Sequence, residues 1–337
     1  MSEHEPLGEH EIIKIIHKRL TAMPDMPVPF GDDVSAAPLI GNSMAILKTD
    51  MLVASTDVPP GMSLFQAARK ALVMNISDFA SKGVMPTAAV VALGLPKRLA
   101  NKKAVTEIAD GLNAGAREYG AYIIGGDTNE TSELIISVSL FGSALNSLTL
   151  RSGATTGDIV AVTGEFGKTS AGLKLISGQA KATPQIRDAV LDAVYCPKAR
   201  LREGLALRGY EYVSSSMDSS DGLALSLHEL ARNSKIGFII NRLPIAPEAK
   251  DFANQNGLDE ADLVFYGGEE YELVLTIKPT KWEEAKAVIE TVHGSLIPIG
   301  KATPTEGVFL EIDGKHRPIE PRGWEHFKSQ SAGPKYS

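Results

Sequence analysis

Five short acidic motifs carry the chemistry: Gly31-Asp32-Asp33, Thr49-Asp50, Asn75-Ile76-Ser77-Asp78, Gly125-Gly126-Asp127-Thr128 and Met217-Asp218-Ser219-Ser220-Asp221-Gly222. Asp beside Gly is common in surface turns, so any one of them alone reads first as a turn. Together they read differently. Several of the acids follow apolar residues or close an expected strand, where a bare carboxylate is costly unless a cation answers it. Neighbouring Ser, Thr and Asn residues offer further oxygens, and hard cations such as Mg²⁺ take a few carboxylates completed by water and substrate phosphates. The seven histidines form no ligand-spaced pair and the one cysteine, Cys196, supplies no thiolate cluster, which leaves zinc without a site. Magnesium, or manganese in its place, is the expected ion. Asp218 and Asp221 stand three apart before an expected helix, Leu223 to Ala231, whose first amides suit a phosphate.

Another phosphate motif fails on spacing. Gly164-Glu165-Phe166-Gly167-Lys168-Thr169 ends like a P-loop, but that loop needs a glycine where Val162 stands. The segment reads instead as a strand-to-helix turn.

The elements that must position these acids are strands and helices in alternation. Apolar runs at Ala45 to Leu47, Met51 to Ala54, Thr87 to Leu95, Ala121 to Ile124 and Leu134 to Phe141 read as strands. Leu64 to Lys82 and Lys103 to Tyr119 read as helices ending near a glycine. A first helix from Glu9 to Leu20 reads as a packing element. Lys70 and Lys82 are expected to be solvated and without a role, and His228 to be a structural or exposed helix residue. A turn-rich crossing, Arg151 to Asp158, precedes a strand at Ile159 to Val162 and further alternation to about Phe327. The expected architecture is therefore a mixed α/β (α+β) fold of two domains, 1–147 and 148–327, followed by a disordered tail at 328–337.

Composition narrows the partners. A net charge of −7 over 337 residues disfavours broad contact with nucleic acid. No run approaches the ~18 apolar residues of a membrane helix, and Met1 to His10 lacks the order of a secretory signal. A cytoplasmic protein is expected.

In the order of its motifs the chain resembles the thiamine-monophosphate kinase family, of the aminoimidazole-ribonucleotide-synthetase-like superfamily, and within it an archaeal-type branch. Besides the acidic motifs, the resemblance rests on Arg151-Ser152-Gly153-Ala154, Gly157-Asp158, Val162-Thr163-Gly164, Gly267-Gly268-Glu269-Glu270-Tyr271-Glu272-Leu273 and Gly323-Trp324-Glu325-His326-Phe327. It implies a homodimer whose amino-terminal strands join into a barrel between subunits. It also implies ATP as donor and thiamine monophosphate as acceptor; because such an acceptor is already an anionic nucleophile, direct in-line transfer is expected. By motif position, Asp33, Thr49, Asp50, Asp78, Asp127, Asp218 and Asp221 would hold magnesium, with Asp50 and Asp127 the most sensitive to change. Tyr119, Gly126, Asp127, Arg151 and Ser220 would face the nucleotide. Glu269 and Trp324 would contact the acceptor, joined by Asp57, which stands where a His is common in bacterial members. The alternatives are a related ATP-dependent synthetase activating an amide or formyl oxygen, and a non-catalytic nucleotide or thiamine sensor.

Overall fold

The computed structural model describes residues 7–145, 148–209, 212–325 and 327. Among these, β1 (Ser35–Pro38), β2 (Ser43–Val53), β3 (Pro86–Leu95), β4 (Tyr122–Glu130) and β5 (Ile135–Leu145) form one sheet in the order β1-β2-β5-β3-β4. Only the β3–β4 pair in it is parallel. The same half carries helices α1 (Glu9–His17), α2 (Ala54–Asp57), α3 (Leu64–Ser81) and α4 (Lys102–Glu118). The next helices are α5 (Lys168–Ile176), α6 (Pro184–Tyr195), α7 (Leu201–Ala206), α8 (Leu223–Ser234), α9 (Pro247–Asn256), α10 (Glu260–Tyr266) and α11 (Trp282–Thr291).

With them, β6 (Ile159–Val162), β7 (Val213–Asp218), β8 (Gly237–Ile240), β9 (Leu273–Ile277), β10 (Ile297–Thr303), β11 (Gly307–Ile312) and β12 (Lys315–Pro318) form a second sheet, ordered β12-β11-β8-β10-β6-β9-β7. Strands of the first sheet all precede residue 146 and those of the second all follow 158. The expected boundary at 147 and the tail at 328–337 lie outside the described residues.

Helix α3 joins the two halves. Its start is fixed by a capping box, in which Ser63 Oγ accepts from Gln66 N and Gln66 Oε1 accepts from Ser63 N. Its Ala67, Ala68 and Ala71 are small enough for close approach, and it packs on β2 and β5 of the first sheet as well as on β7 and α7 of the second half. One continuous core follows, from Ile46, Leu72 and Val138 to Leu273, Leu275 and Ile277. A second core lies under α8, and a third among α5, α6 and α9.

Two expectations change here. The runs at 45–47 and 51–53 are one strand, β2, because Lys48 and Asp50 between them are ion-paired rather than turned out, while Ala54 already opens α2. Helix α1 buries none of its residues, so it is no packing element within a single chain.

Candidate active site

The carboxylates of Asp33, Asp78 and Asp218 converge from a loop before β1, from α3 and from the end of β7. One oxygen of each lies within 4.8 Å of the others, and all three residues are buried. Asp50 joins through Lys48, whose Nζ lies 3.2 Å from Asp50 and 3.0 Å from Asp78. Strand alternation explains the pairing, since Ile46, Lys48, Asp50 and Leu52 share the face of β2 that packs on α3. Helix α3 adds Asn75, whose Oδ1 accepts from Asp50 N at 3.0 Å, and Ser77, which donates to Asp218 Oδ2 at 2.6 Å.

Cations close the cluster from below. Lys82 Nζ reaches Asp32 at 2.6 Å, Asp33 at 2.7 Å and the Ser216 carbonyl at 2.8 Å. Arg151 donates to both the Asp33 carboxylate and the Gly31 carbonyl, and its own amide donates to Asp32 Oδ2. Lys82 and Lys70, expected in solvent, are thus among the most buried side chains. Lys70 pairs with the Glu269 carboxylate and donates to the Asp57 carbonyl at 2.8 Å.

The charges do not cancel. Burial raises the Asp218 carboxyl to about 6, and the like charge of Asp33 adds to this. Burial also lifts Asp78 well above the usual range, more than Lys48 draws it back. The surrounding protein first, then the charge of Asp218, bring Asp221 to about 7 even though its side chain is exposed. For Asp33 burial acts upward too, but Arg151 and Lys82 together outweigh it and hold that carboxyl well below normal. In the same way Asp78 and Asp50 overcome burial and keep Lys48 firmly charged. Crowded carboxylates with raised pKa values gain most from a further cation. Oxygen-only ligands at this spacing suit magnesium, and the residues present therefore fit it.

The opposite wall is a paired loop. Ser219 N donates to the Glu272 carbonyl, Tyr271 N to the Ser219 carbonyl and Glu269 N to the Ser220 carbonyl. Glu269 and Tyr271 hold left-handed φ angles of 65° and 54°, strain of the kind kept at functional sites. Gly222 starts α8 at φ 109°, and a Cβ there would lie 3.1 Å from the carbonyls of Phe265 and Gly267. Trp324 rests on this loop, its amide donating to the Asp221 carbonyl at 3.0 Å. Ser220, Asp221, Glu269 and Trp324 are accordingly neighbours.

Other site residues stand apart. Val138 and Val91, opposite Asp50 and Gly126, are buried, whereas Asp127 falls in the next row with Ala92, Ser137 and the exposed Met51. Asp127 is therefore on the open face of the sheet, three strand spacings or roughly 14 Å from β2. Thr49 shares that face, accepting from Ser139 Oγ at 3.1 Å. Gly126 admits no side chain, for a Cβ would lie 2.0 Å from the Val91 carbonyl. The Tyr119 hydroxyl accepts from Ala199 N at 3.0 Å, and burial pushes its pKa up to about 12. Asp57 Oδ2 accepts from Val53 N at 2.7 Å, which commits that oxygen to the backbone.

The rejected P-loop is a helix start already filled by the protein itself. Glu270 Oε1 accepts from Gly167 N at 2.7 Å and from Thr169 N at 3.1 Å. Burial raises its carboxyl to about 7 against the pull of those amides. His228 is structural as expected, bonded to the Ile319 carbonyl at 2.7 Å.

Sequence reasoning missed Lys48, Lys70 and Lys82. A signal existed for two of them: Lys48 falls in register with Ile46 and Leu52, and Lys70 has Ala67, Val73 and Met74 one helical turn away.

Residues 31–144 match the family described as AIR synthase related protein, N-terminal domain, which sets the amino-terminal sheet and its acids in that class. The thiamine-monophosphate kinase of Nitrosopumilus maritimus (strain SCM1) is 39% identical over 322 residues, covering 96% of this chain and 99% of its own. That of Pyrococcus horikoshii is 36% identical, covering 88% and 91%. The chain belongs to the thiamine-monophosphate kinase family. A solved structure described as AaThiL complexed with AMPPCP and TMP superposes with a TM-score of 0.84 at 28% identity, covering 97% of this chain and all of that one.

Proposed function

We propose that this chain transfers the terminal phosphoryl group of ATP to thiamine monophosphate, giving thiamine diphosphate and ADP. The observation that carries the reading is the convergence of Asp33, Asp78 and Asp218, three motifs far apart in sequence, into one buried acidic site. The kinase relatives and the neighbour bound to AMPPCP and TMP supply the identity of donor and acceptor.

The acceptor phosphate is anionic near neutral pH, so no side chain has to take a proton from it. One of its oxygens forms the new bond to the terminal phosphorus as the bond to the bridging oxygen of ATP breaks, and ADP leaves with that electron pair. Repulsion between the two phosphates is the obstacle, on the order of 4 kcal/mol per pair of unit charges at 4 Å and an effective dielectric near 20. Asp33, Asp50, Asp78, Asp218 and Asp221 would hold magnesium, which would supply charge neutralisation and alignment there. Lys48, Lys82 and Arg151 set how much negative charge those acids retain. Ser220 and the start of α8 face the phosphates. Glu269 and Trp324 receive the cationic thiazolium, by charge and by the aromatic face.

The reading includes a homodimer. Leu47, Phe141 and Tyr122 line up across the open face of the first sheet, 45%, 38% and 57% exposed, beside Met51, Val90 and Ile124. A second copy laid on this face closes a barrel and brings Thr49 and Asp127 to the junction. The reading also includes a cytoplasmic location, which use of ATP supports.

The test is direct product identification by chromatography with ATP, Mg²⁺ and thiamine monophosphate. Thiamine diphosphate formed in step with ADP supports the reading. ADP without it points to a synthetase, and nucleotide binding without turnover to a sensor.

A further inference from the structure

We propose that Lys70 is a positioning residue for the acceptor, fixing the Glu269 carboxylate from behind. This deepens the reading above and rests on it, since Glu269 is there the residue that meets the thiazolium. The geometry is asymmetric. The Lys70 side chain is 1% exposed and that of Glu269 27%, so the ammonium is sealed in and the carboxylate opens outward. A ligand arriving at this wall meets Glu269 and not Lys70.

Lys70 Nζ engages Glu269 Oε1 and donates to the Asp57 carbonyl at 2.8 Å. Among the described residues no hydrogen bond occupies Glu269 Oε2. One oxygen is thus held and the other left for a cationic ligand. The two partners of Lys70 come from opposite halves of the molecule, the end of α2 and the loop between α10 and β9. Glu269 is also gripped at its backbone, where its left-handed amide donates to the Ser220 carbonyl at 2.6 Å. Backbone and side chain are then both anchored, which fixes the carboxylate beside the loop expected to face the phosphates.

A buried ion pair is weak evidence for stability, because an apolar pair of like volume often serves as well. A lysine kept at the centre of an alanine-rich helix calls for another reason, and orienting Glu269 supplies one. It also bears on Asp57: one oxygen of its carboxylate is bonded to Val53 N, and what it turns toward Glu269's partner is its carbonyl.

The test uses the full chain with Lys70→Met and Lys70→Gln. Calorimetry measures the Kd of thiamine monophosphate and, separately, of AMPPCP with Mg²⁺, and steady-state rates give KM and kcat. The expected result is an acceptor Kd at least tenfold weaker with AMPPCP affinity within threefold, and KM for the acceptor rising by more than kcat falls. Unchanged acceptor affinity, equal weakening of both ligands, or failure of both variants to fold would each overturn the proposal, the last by making the pair structural only. Absence of acceptor binding by the unaltered chain would instead retract the acceptor reading itself.

Discussion

Removing the ammonium of Lys82 should destabilise the protein far more than removing any surface lysine. Its side chain is 0% exposed and lies against Asp32 and Asp33, themselves 4% and 0% exposed. Lys82→Met fills similar volume but leaves two carboxylates and the Ser216 carbonyl without their donor. Breaking a buried pair from one side costs about 3–5 kcal/mol. Arg151 still neutralises Asp33, and the Arg151 amide still reaches Asp32, so the lower end applies, about 3 kcal/mol. At roughly 2–4 °C per kcal/mol for domains of 150–250 residues, Tm should fall by about 6–12 °C. The assay is thermal unfolding in EDTA, so that no divalent ion stands in for the lost charge. The control is Lys97→Met, whose pair with Glu130 is 3.5 Å long with side chains 83% and 65% exposed; it should shift Tm by no more than a degree or two. A Lys82→Met protein melting within 2 °C of the parent would refute the reasoning that this charge is obligatory.

Asp50→Asn should lower turnover at least a hundredfold, and because Asp127 is exposed on the open face of β4 its Asn variant should melt like the parent. Ile124→Glu, altering a side chain 71% exposed on the open face, should turn the dimer into a monomer by light scattering, and an unchanged mass would remove that face from the interface. For Glu270 the folded pKa is raised from 4.5 to about 7, so the native chain holds a proton there that the unfolded chain has released. Stability therefore declines as pH rises from about 4.5 to 7 and levels off above; the limit is roughly 3 kcal/mol, and partial exposure brings the share to about 2 kcal/mol. Glu270→Gln should flatten the urea-midpoint profile over that window by this share, and an unaltered slope would mean that the carboxyl titrates normally.

The acids were legible because carboxylates after apolar residues demand a cation wherever the chain takes them. Asp218, directly after Met217, announced itself in this way, and Asp33 and Asp78 did so by motifs rich in Gly, Ser and Asn oxygens, though nothing in their spacing showed that α3 would gather them. Their counterions were harder to see. Lysines on a helix are usually solvated, and only the meeting of α3 with both sheets buries Lys70 and Lys82. Asp127 illustrates the opposite limit. Its motif resembles the others, but the pleat of β4 turns it to the far face, which sequence would reveal only once the register with β3 was known. The middle of β2 was misread for a related reason: a polar Lys-Thr-Asp stretch looks like a break unless its partners across the fold are known.

Strand β2 serves two masters in alternate residues, Lys48 and Asp50 turned inward, Leu47, Thr49 and Met51 outward. Point changes can thus be sorted in advance by odd or even number into those felt by chemistry and those felt by assembly. A single inserted or deleted residue near Ile46 respects no such division: it would flip every later side chain and disable both roles in one event. Evolution can edit the letters of this strand far more freely than its length.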